Sequence, residues 1–290
     1  LVTIIDAGNS HLAERCPVAD RAGQDAVAPH PMVKLEMKGV CKDFVTARGT
    51  TRALSDVNLD IYEKEFVSLI GRSGCGKTTA LRIMAGLIQP TSGEVKIGGK
   101  SLWSGSTIDS SVITRMGIVF QDANLFPWYN ILDNITLPLR LRGVSKSARH
   151  ARARELMGLV GLDGFEKSHP RELSGGMRQR VAIARALSYN PDLLLMDEPF
   201  GALDALTRER MNLELQRIAT VIGATVVFVT HDITEAVFLG SRVVHLTPRP
   251  GRIQDITTVD IPRPRPIEAQ SGQRFVEIAR NLREALDKEE

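Results

Sequence analysis

Three cysteines in 290 residues, Cys16, Cys41 and Cys75, are too few and too irregularly spaced for a disulfide framework or a zinc site. Their odd number suits a reducing compartment. No run approaches the ~18 consecutive apolar residues that a membrane-spanning helix needs. The apolar start, residues 1–6, is too short and too soon followed by charge to read as a secretion signal. Neither sign of charge dominates, with 37 Lys and Arg against 34 Asp and Glu. That balance offers no basic stripe, so no nucleic-acid partner is expected. Repeats and low-complexity tracts are absent, apart from an Arg-Pro-rich stretch at 262–266 that reads as a linker. What remains is an ordinary globular composition, 43% hydrophobic and 24% charged, enough for one large domain or two small ones.

Residues 1–31 show no period and read as a poorly ordered extension, with Met32 an alternative start. The alternation of Val33, Leu35, Met37 and then Val40, and that of Leu54, Val57, Leu59 and Ile61 within 53–61, predict two strands of an antiparallel edge sheet. Phe66–Ile70, apolar except for Ser68, predicts a strand buried on both faces, as do 193–196 and 225–230. Shorter strands are expected at 94–97, 117–120, 243–246 and 253–261. Helical spacing predicts 78–87, with Leu81, Met84 and Leu87 on one face, then 145–159, Gly175–Leu187, and 203–222 with Leu213, Leu215, Ile218 and Ile222 inward. Ile233–Leu239 and an amphipathic helix at about 272–288, carrying Phe275, Ile278, Leu282 and Leu286, complete the series. Strands alternating with helices imply an α/β fold, a mostly parallel sheet covered on both faces. The helical stretch at about 122–185 breaks the alternation and reads as an inserted subdomain.

The sequence Gly71-Arg72-Ser73-Gly74-Cys75-Gly76-Lys77-Thr78 has the G-x-x-x-x-G-K-[ST] spacing of a phosphate-binding loop. It follows a buried strand and opens a helix, as the mechanism requires. Glycines let backbone N–H groups close on phosphate oxygens, and the helix start adds partial positive charge. Lys77 is expected on the terminal phosphates and Thr78 on a Mg2+ ion, with Thr79 completing the cradle. Cys75 has no expected catalytic part, but its thiol is an expected target for thiol reagents. The apolar run 193–196 ends in Asp197 and Glu198, at the end of a parallel strand where α/β proteins bind ligands. Asp197 suits a Mg2+ ion and Glu198 the polarising of a water. Alone, two such acids also suit a helix start. His231 ends another buried strand, within hydrogen-bonding range of a γ-phosphate if the strands are neighbours. Ser174-Gly175-Gly176-Met177 opens a helix with a capping serine and glycines that expose N–H groups, a second anion site or an ordinary turn.

Leu173 to Arg180, Leu-Ser-Gly-Gly-Met-Arg-Gln-Arg, resembles the signature of ABC-transporter ATPases, and the motifs around it fall in that family's order over about residues 33–261. The resemblance implies a P-loop NTPase (RecA-like) core, an antiparallel β subdomain and the inserted α-helical subdomain. It implies an ATPase domain at 32–262, followed by a linker and C-terminal helix at 263–290. It implies that Phe44 stacks on adenine and that Gln121 joins the metal site to a transmembrane partner. Residues 201–204 resemble the loop that touches the other subunit, with Gly201 where serine is commoner. Two chains would pair head to tail, ATP lying between the phosphate loop of one and Ser174, Gly175, Gly176 and Met177 of the other. The homodimer would act at the cytoplasmic face of the inner membrane with transmembrane permease subunits and a solute-binding protein.

Leu125-Phe126-Pro127-Trp128 reads either as core of the helical subdomain or as a contact patch for a membrane partner. With residues 199–204 and 247–253 it is similar to importers of the nitrate, sulfonate and taurine group. The basic residues Arg140, Arg142, Lys146, Arg149, Arg152 and Arg154 read as a solvated helical face. The alternatives are an exporter or lipoprotein-release ATPase, an ABC ATPase working on nucleic acid, and a P-loop kinase, which would leave Ser174 to Met177 without a purpose.

Overall fold

The computed structural model describes residues 32–47 and 49–288. The expected extension, 1–31, lies outside the described residues. The first strands, β1 (Val33–Thr46) and β2 (Gly49–Tyr62), form a long antiparallel hairpin. Next come β3 (Phe66–Ile70), α1 (Lys77–Met84), β4 (Ser92–Ile97), the short strands β5 (Lys100–Ser101), β6 (Trp103–Ser104) and β7 (Thr107–Ile108), then α2 (Ser110–Ile113) and β8 (Met116–Val119). Three helices follow, α3 (Ile131–Leu141), α4 (Lys146–Leu159) and α5 (Gly175–Leu187). The chain then alternates through β9 (Leu193–Asp197), α6 (Ala205–Ile222), β10 (Thr225–Val229), α7 (Ile233–Leu239), β11 (Arg242–Leu246) and β12 (Ile253–Thr258) before α8 (Gln273–Asp287).

The principal sheet has the order β12-β11-β3-β10-β9-β8, parallel throughout except for the edge strand β12. The smaller antiparallel sheet has the order β2-β1-β4-β5. The parallel strands sort their side chains by alternation. Phe66, Leu194, Met196, Val226 and Phe228 face the helical layer of α5, α6, α7 and α8. Val67, Leu69, Leu193, Leu195, Val227 and Val229 face α1 and the antiparallel sheet. Both faces are covered, which is why these strands read as continuous apolar runs.

Helix starts follow local chemistry. The side chains of Ser145, Ser174, Asp204 and Asp232 accept from backbone N–H groups of α4, α5, α6 and α7. Two expected faces are corrected. Helix α1 ends at Met84, stopped by Gly86 in the left-handed region at φ 71°, so Leu87 lies beyond it and is half exposed. On α6 the buried row is Met211, Leu215 and Ile218; Leu213, two residues from both Met211 and Leu215, is carried to the other side of the helix.

Of the six basic residues expected on a solvated face, Arg140, Arg142, Lys146 and Arg154 are exposed, while Arg149 and Arg152 are half-buried. Several also find partners: Arg142 lies over the Tyr189 ring at 3.9 Å and donates to the Thr114 carbonyl, Arg140 donates to the hydroxyl of Tyr129, and Arg152 pairs with Glu155. Within residues 262–266, expected as a linker, Pro262, Arg263, Pro264 and Pro266 are exposed and Arg265 alone is buried. Arg265 is 1% exposed and donates to the carbonyls of Val237, Phe238 and Gly240 at the end of α7, and to that of Ile261. Burial, with the charge of Arg263 adding, pushes its guanidinium down to about 10, so it is still charged at neutral pH. Gln216 of α6 grips its backbone from both sides. Beyond it, α8 buries Phe275, Ile278 and Leu282 against the helical layer.

Removing this plug leaves buried carbonyls without donors, a loss of about 1–3 kcal/mol. Arg265→Leu is therefore expected to lower the unfolding free energy by that amount in urea denaturation; a loss below about 1 kcal/mol would show that the carbonyls are satisfied without it.

Candidate functional site

The carboxyl ends of the parallel strands converge on a cavity of about 510 Å3. The phosphate loop leaves β3 and enters α1 at Gly76, whose φ of 109° suits glycine alone. No side chain caps α1 and no acid lies in its first turn, so its leading N–H groups are available to an anion. Ser73, Gly74, Gly76, Lys77, Thr78 and Thr79 line the cavity. The Lys77 ammonium is itself nearly buried and donates to the carbonyls of Gly71 and Arg72 at 2.8 and 3.2 Å. Cys75 is 1% exposed, which corrects the expectation of a reagent-accessible thiol: the loop packs it inward, and its sulfur lies 4.0 Å from Lys77 Nζ.

Register does the rest. Val229 of β10 pairs with Asp197 of β9 and with Leu69 of β3, so the three strands end level. Thr78 Oγ1 donates to Asp197 Oδ1 at 2.9 Å, joining the helix after β3 to the end of β9. Burial pushes the Asp197 carboxyl above its ordinary range, with the Thr78 hydroxyl pulling the other way. Glu198 follows at φ 42°, a strained left-handed conformation for a non-glycine residue, held by its N–H to the Val229 carbonyl. Its carboxylate meets His231 Nδ1 at 3.0 Å, and both residues line the cavity. A hydroxyl and a carboxylate are hard oxygen donors of the kind Mg2+ takes, so Thr78 and Asp197 fit that ion chemically.

Phe44, the expected adenine platform, lines the cavity and is 41% exposed, with Lys42 Nζ 5.3 Å from its ring centre. Gln121, two residues after β8, does not line the cavity. It approaches Glu198 over Gly201: a methyl added there would lie 3.5 Å from Gln121 Nε2 and 3.6 Å from Glu198 Oε2. Ser174, Gly175, Gly176 and Met177 do not line the cavity either. Ser174 caps α5, accepting from the Met177 N–H at 3.3 Å. Gly176 has a packing reason of its own, since a Cβ would sit 2.8 Å from Thr207 Cγ2 of α6. The sequence reading missed Thr51, Ala53 and Arg249 on the cavity wall. Thr51 could be found only from the pairing of β1 with β2, where it faces Phe44.

The family described as ABC transporter matches residues 54–201. The chain is 43% identical over 263 residues to the taurine import ATP-binding protein TauB of Burkholderia pseudomallei, covering 89% of this chain and 98% of that protein. It is 45% identical over 228 residues to the nitrate import ATP-binding protein NrtD of Synechocystis sp., covering 79% and 83%. Among solved structures, a dimeric ATP-binding cassette in a post-hydrolysis state, bound to ADP and Pi, aligns with TM-score 0.69 and 37% identity over 78% of this chain and 99% of that one.

A carboxyl raised by burial holds a proton in the folded state at pH values where the unfolded chain has released it, so stability falls as pH rises through that window. Asp197→Asn does not titrate. In urea denaturation of the nucleotide-free chain, the variant is expected to be more stable than the parent at pH 8, with the difference narrowing as pH falls toward the ordinary carboxylate range. A variant less stable at pH 8 would contradict this.

Proposed function

The chain belongs to the ABC transporter family as an ATP-binding, ATP-hydrolysing subunit, and from that premise we propose that it energises uptake of a small solute, of the nitrate, sulfonate or taurine kind, through transmembrane permease subunits. The observation that carries the reading is the Glu198–His231 contact of 3.0 Å over the phosphate-loop cavity. The similarity to import proteins along nearly their whole length supports the direction of transport. The ATPase domain spans 32–262 with a helical subdomain at about 122–185, and 263–290 follow it.

In this reading Phe44 stacks on adenine, and the N–H groups of residues 71–79 with Lys77 hold the phosphates. Thr78, Asp197 and Gln121 hold Mg2+, which when bound neutralises charge on the phosphate oxygens. Glu198 accepts a hydrogen bond from the attacking water and takes its proton as the oxygen bonds to the γ-phosphorus and the bond to ADP breaks. His231, oriented by Glu198 through Nδ1, has Nε2 for the γ-phosphate, donating when the ring carries both protons. The start of α5 at Ser174 is a second N–H cluster outside the cavity, which suits the nucleotide of a second copy and hence a head-to-tail homodimer.

The aromatic cluster of Phe126, Trp128 and Tyr129, with ring centres 5.4–6.2 Å apart and Trp128 66% exposed, suits a transmembrane subunit. Such a complex works peripherally at the cytoplasmic face of the membrane, and a solute-binding protein on the other side selects the cargo. None of the helices among the described residues is long and apolar enough to cross a membrane.

Two variants separate the roles. Lys77→Ala removes a charged donor and is expected to weaken ATP binding by about tenfold or more. Glu198→Gln is expected to bind ATP, lose hydrolysis by about 100-fold or more, and accumulate as a dimer on size exclusion with Mg-ATP. Hydrolysis by Glu198→Gln at the parent rate would remove Glu198 from its role.

A further inference from the structure

Five parallel strands end at the carboxyl edge of the principal sheet, and four of them already carry a residue of the proposed chemistry: β3, β8, β9 and β10. The fifth, β11, lies beside β3 on the side opposite β10. Its chain runs on into a turn closed by Thr247, which donates its N–H to the Arg252 carbonyl at 2.9 Å and accepts the Arg252 N–H on its hydroxyl at 3.0 Å. The root of this turn is fixed. Gly251 donates to the Ala53 carbonyl and accepts from the Ser55 N–H, both at 2.9 Å. It lies so close to the phosphate loop that a Cβ would sit 2.1 Å from the Cys75 carbonyl oxygen.

Arg249 is an exposed residue of that turn, and it lines the same cavity as Ser73, Gly74 and Lys77. Its Nη2 donates to the Gly74 carbonyl at 3.3 Å, a long bond to a neutral acceptor, and no carboxylate pairs with it among the described residues. A guanidinium has five N–H donors in a planar fork that matches phosphate oxygens. Lys77, by contrast, directs hydrogen bonds into the loop's own carbonyls.

We infer that Arg249 is a nucleotide-contact residue that takes phosphate oxygens of ATP from the β11 side of the phosphate loop, across from His231, and so favours nucleotides with two or three phosphates over the monophosphate. This rests on the nucleotide reading of the cavity. Titration calorimetry of the full chain with AMP-PNP, ADP and AMP tests it, using the parent, Arg249→Gln, Arg249→Lys and Lys77→Ala. Arg249→Gln is expected to weaken AMP-PNP and ADP by about tenfold and AMP by less than twofold, with Arg249→Lys in between. Arg249→Gln binding AMP-PNP within twofold of the parent, or losing all three nucleotides equally, overturns the inference while Lys77→Ala still shows its loss. A parent that binds none of the three, or a Lys77→Ala chain that binds them unchanged, overturns the nucleotide reading and this inference with it.

Discussion

Level parallel pairing of β3, β10 and β9 is the constraint on which the site depends. The ladder that sets Val229 against both Leu69 and Asp197 brings the phosphate loop, the acid pair and His231 to one edge. A slip of one residue would turn each strand's inward side chains over, exchanging the Phe66, Met196 and Phe228 face for the Leu69, Leu195 and Val229 face. Because the two faces meet different layers, the core and the site select the same register. The Thr78–Asp197 hydrogen bond then joins β9 to the helix that follows β3, at the cost of a buried carboxylate.

The helix below His231 is held at both ends. At its start Asp232 caps α7 and faces Arg208 of α6 at 3.6 Å, and Thr230 donates to the buried Glu235 in the first turn. At its end the Arg265 guanidinium collects the last carbonyls, so positive charge sits where the helix dipole favours it. Glu198 is one of five non-glycine residues at positive φ among the described residues, and of these it alone lines the cavity.

Much of this was legible from neighbours along the chain. The phosphate loop, the strands with two apolar faces, and the capping residue Ser174 depend on local spacing. So do the short helix α7 and the amphipathic α8. The rest depends on partners far away in sequence. Cys75 and Lys77 are buried by packing of the loop on itself and on β11. Arg142 and Arg265 are held by residues 25 to 47 positions away. Thr51 and Arg249 reach the cavity through strand pairing that no periodicity in their own segments encodes. Leu213 and Leu87 were misread because an apolar residue near a helix does not by itself identify the face or the end.

Ser174 to Met177 stand outside the cavity formed by their own chain, and in the proposed reading this second N–H cluster serves another copy's nucleotide. Subunit complementation measures that most directly. A Lys77→Ala chain lacks a working phosphate loop, and a Ser174→Glu chain lacks a working α5 start, so each alone is inactive. If each enclosure is shared between chains, a mixed dimer has one intact enclosure, and mixing the two proteins restores ATP hydrolysis. Activity in the mixture no higher than the sum of the separate proteins would contradict sharing.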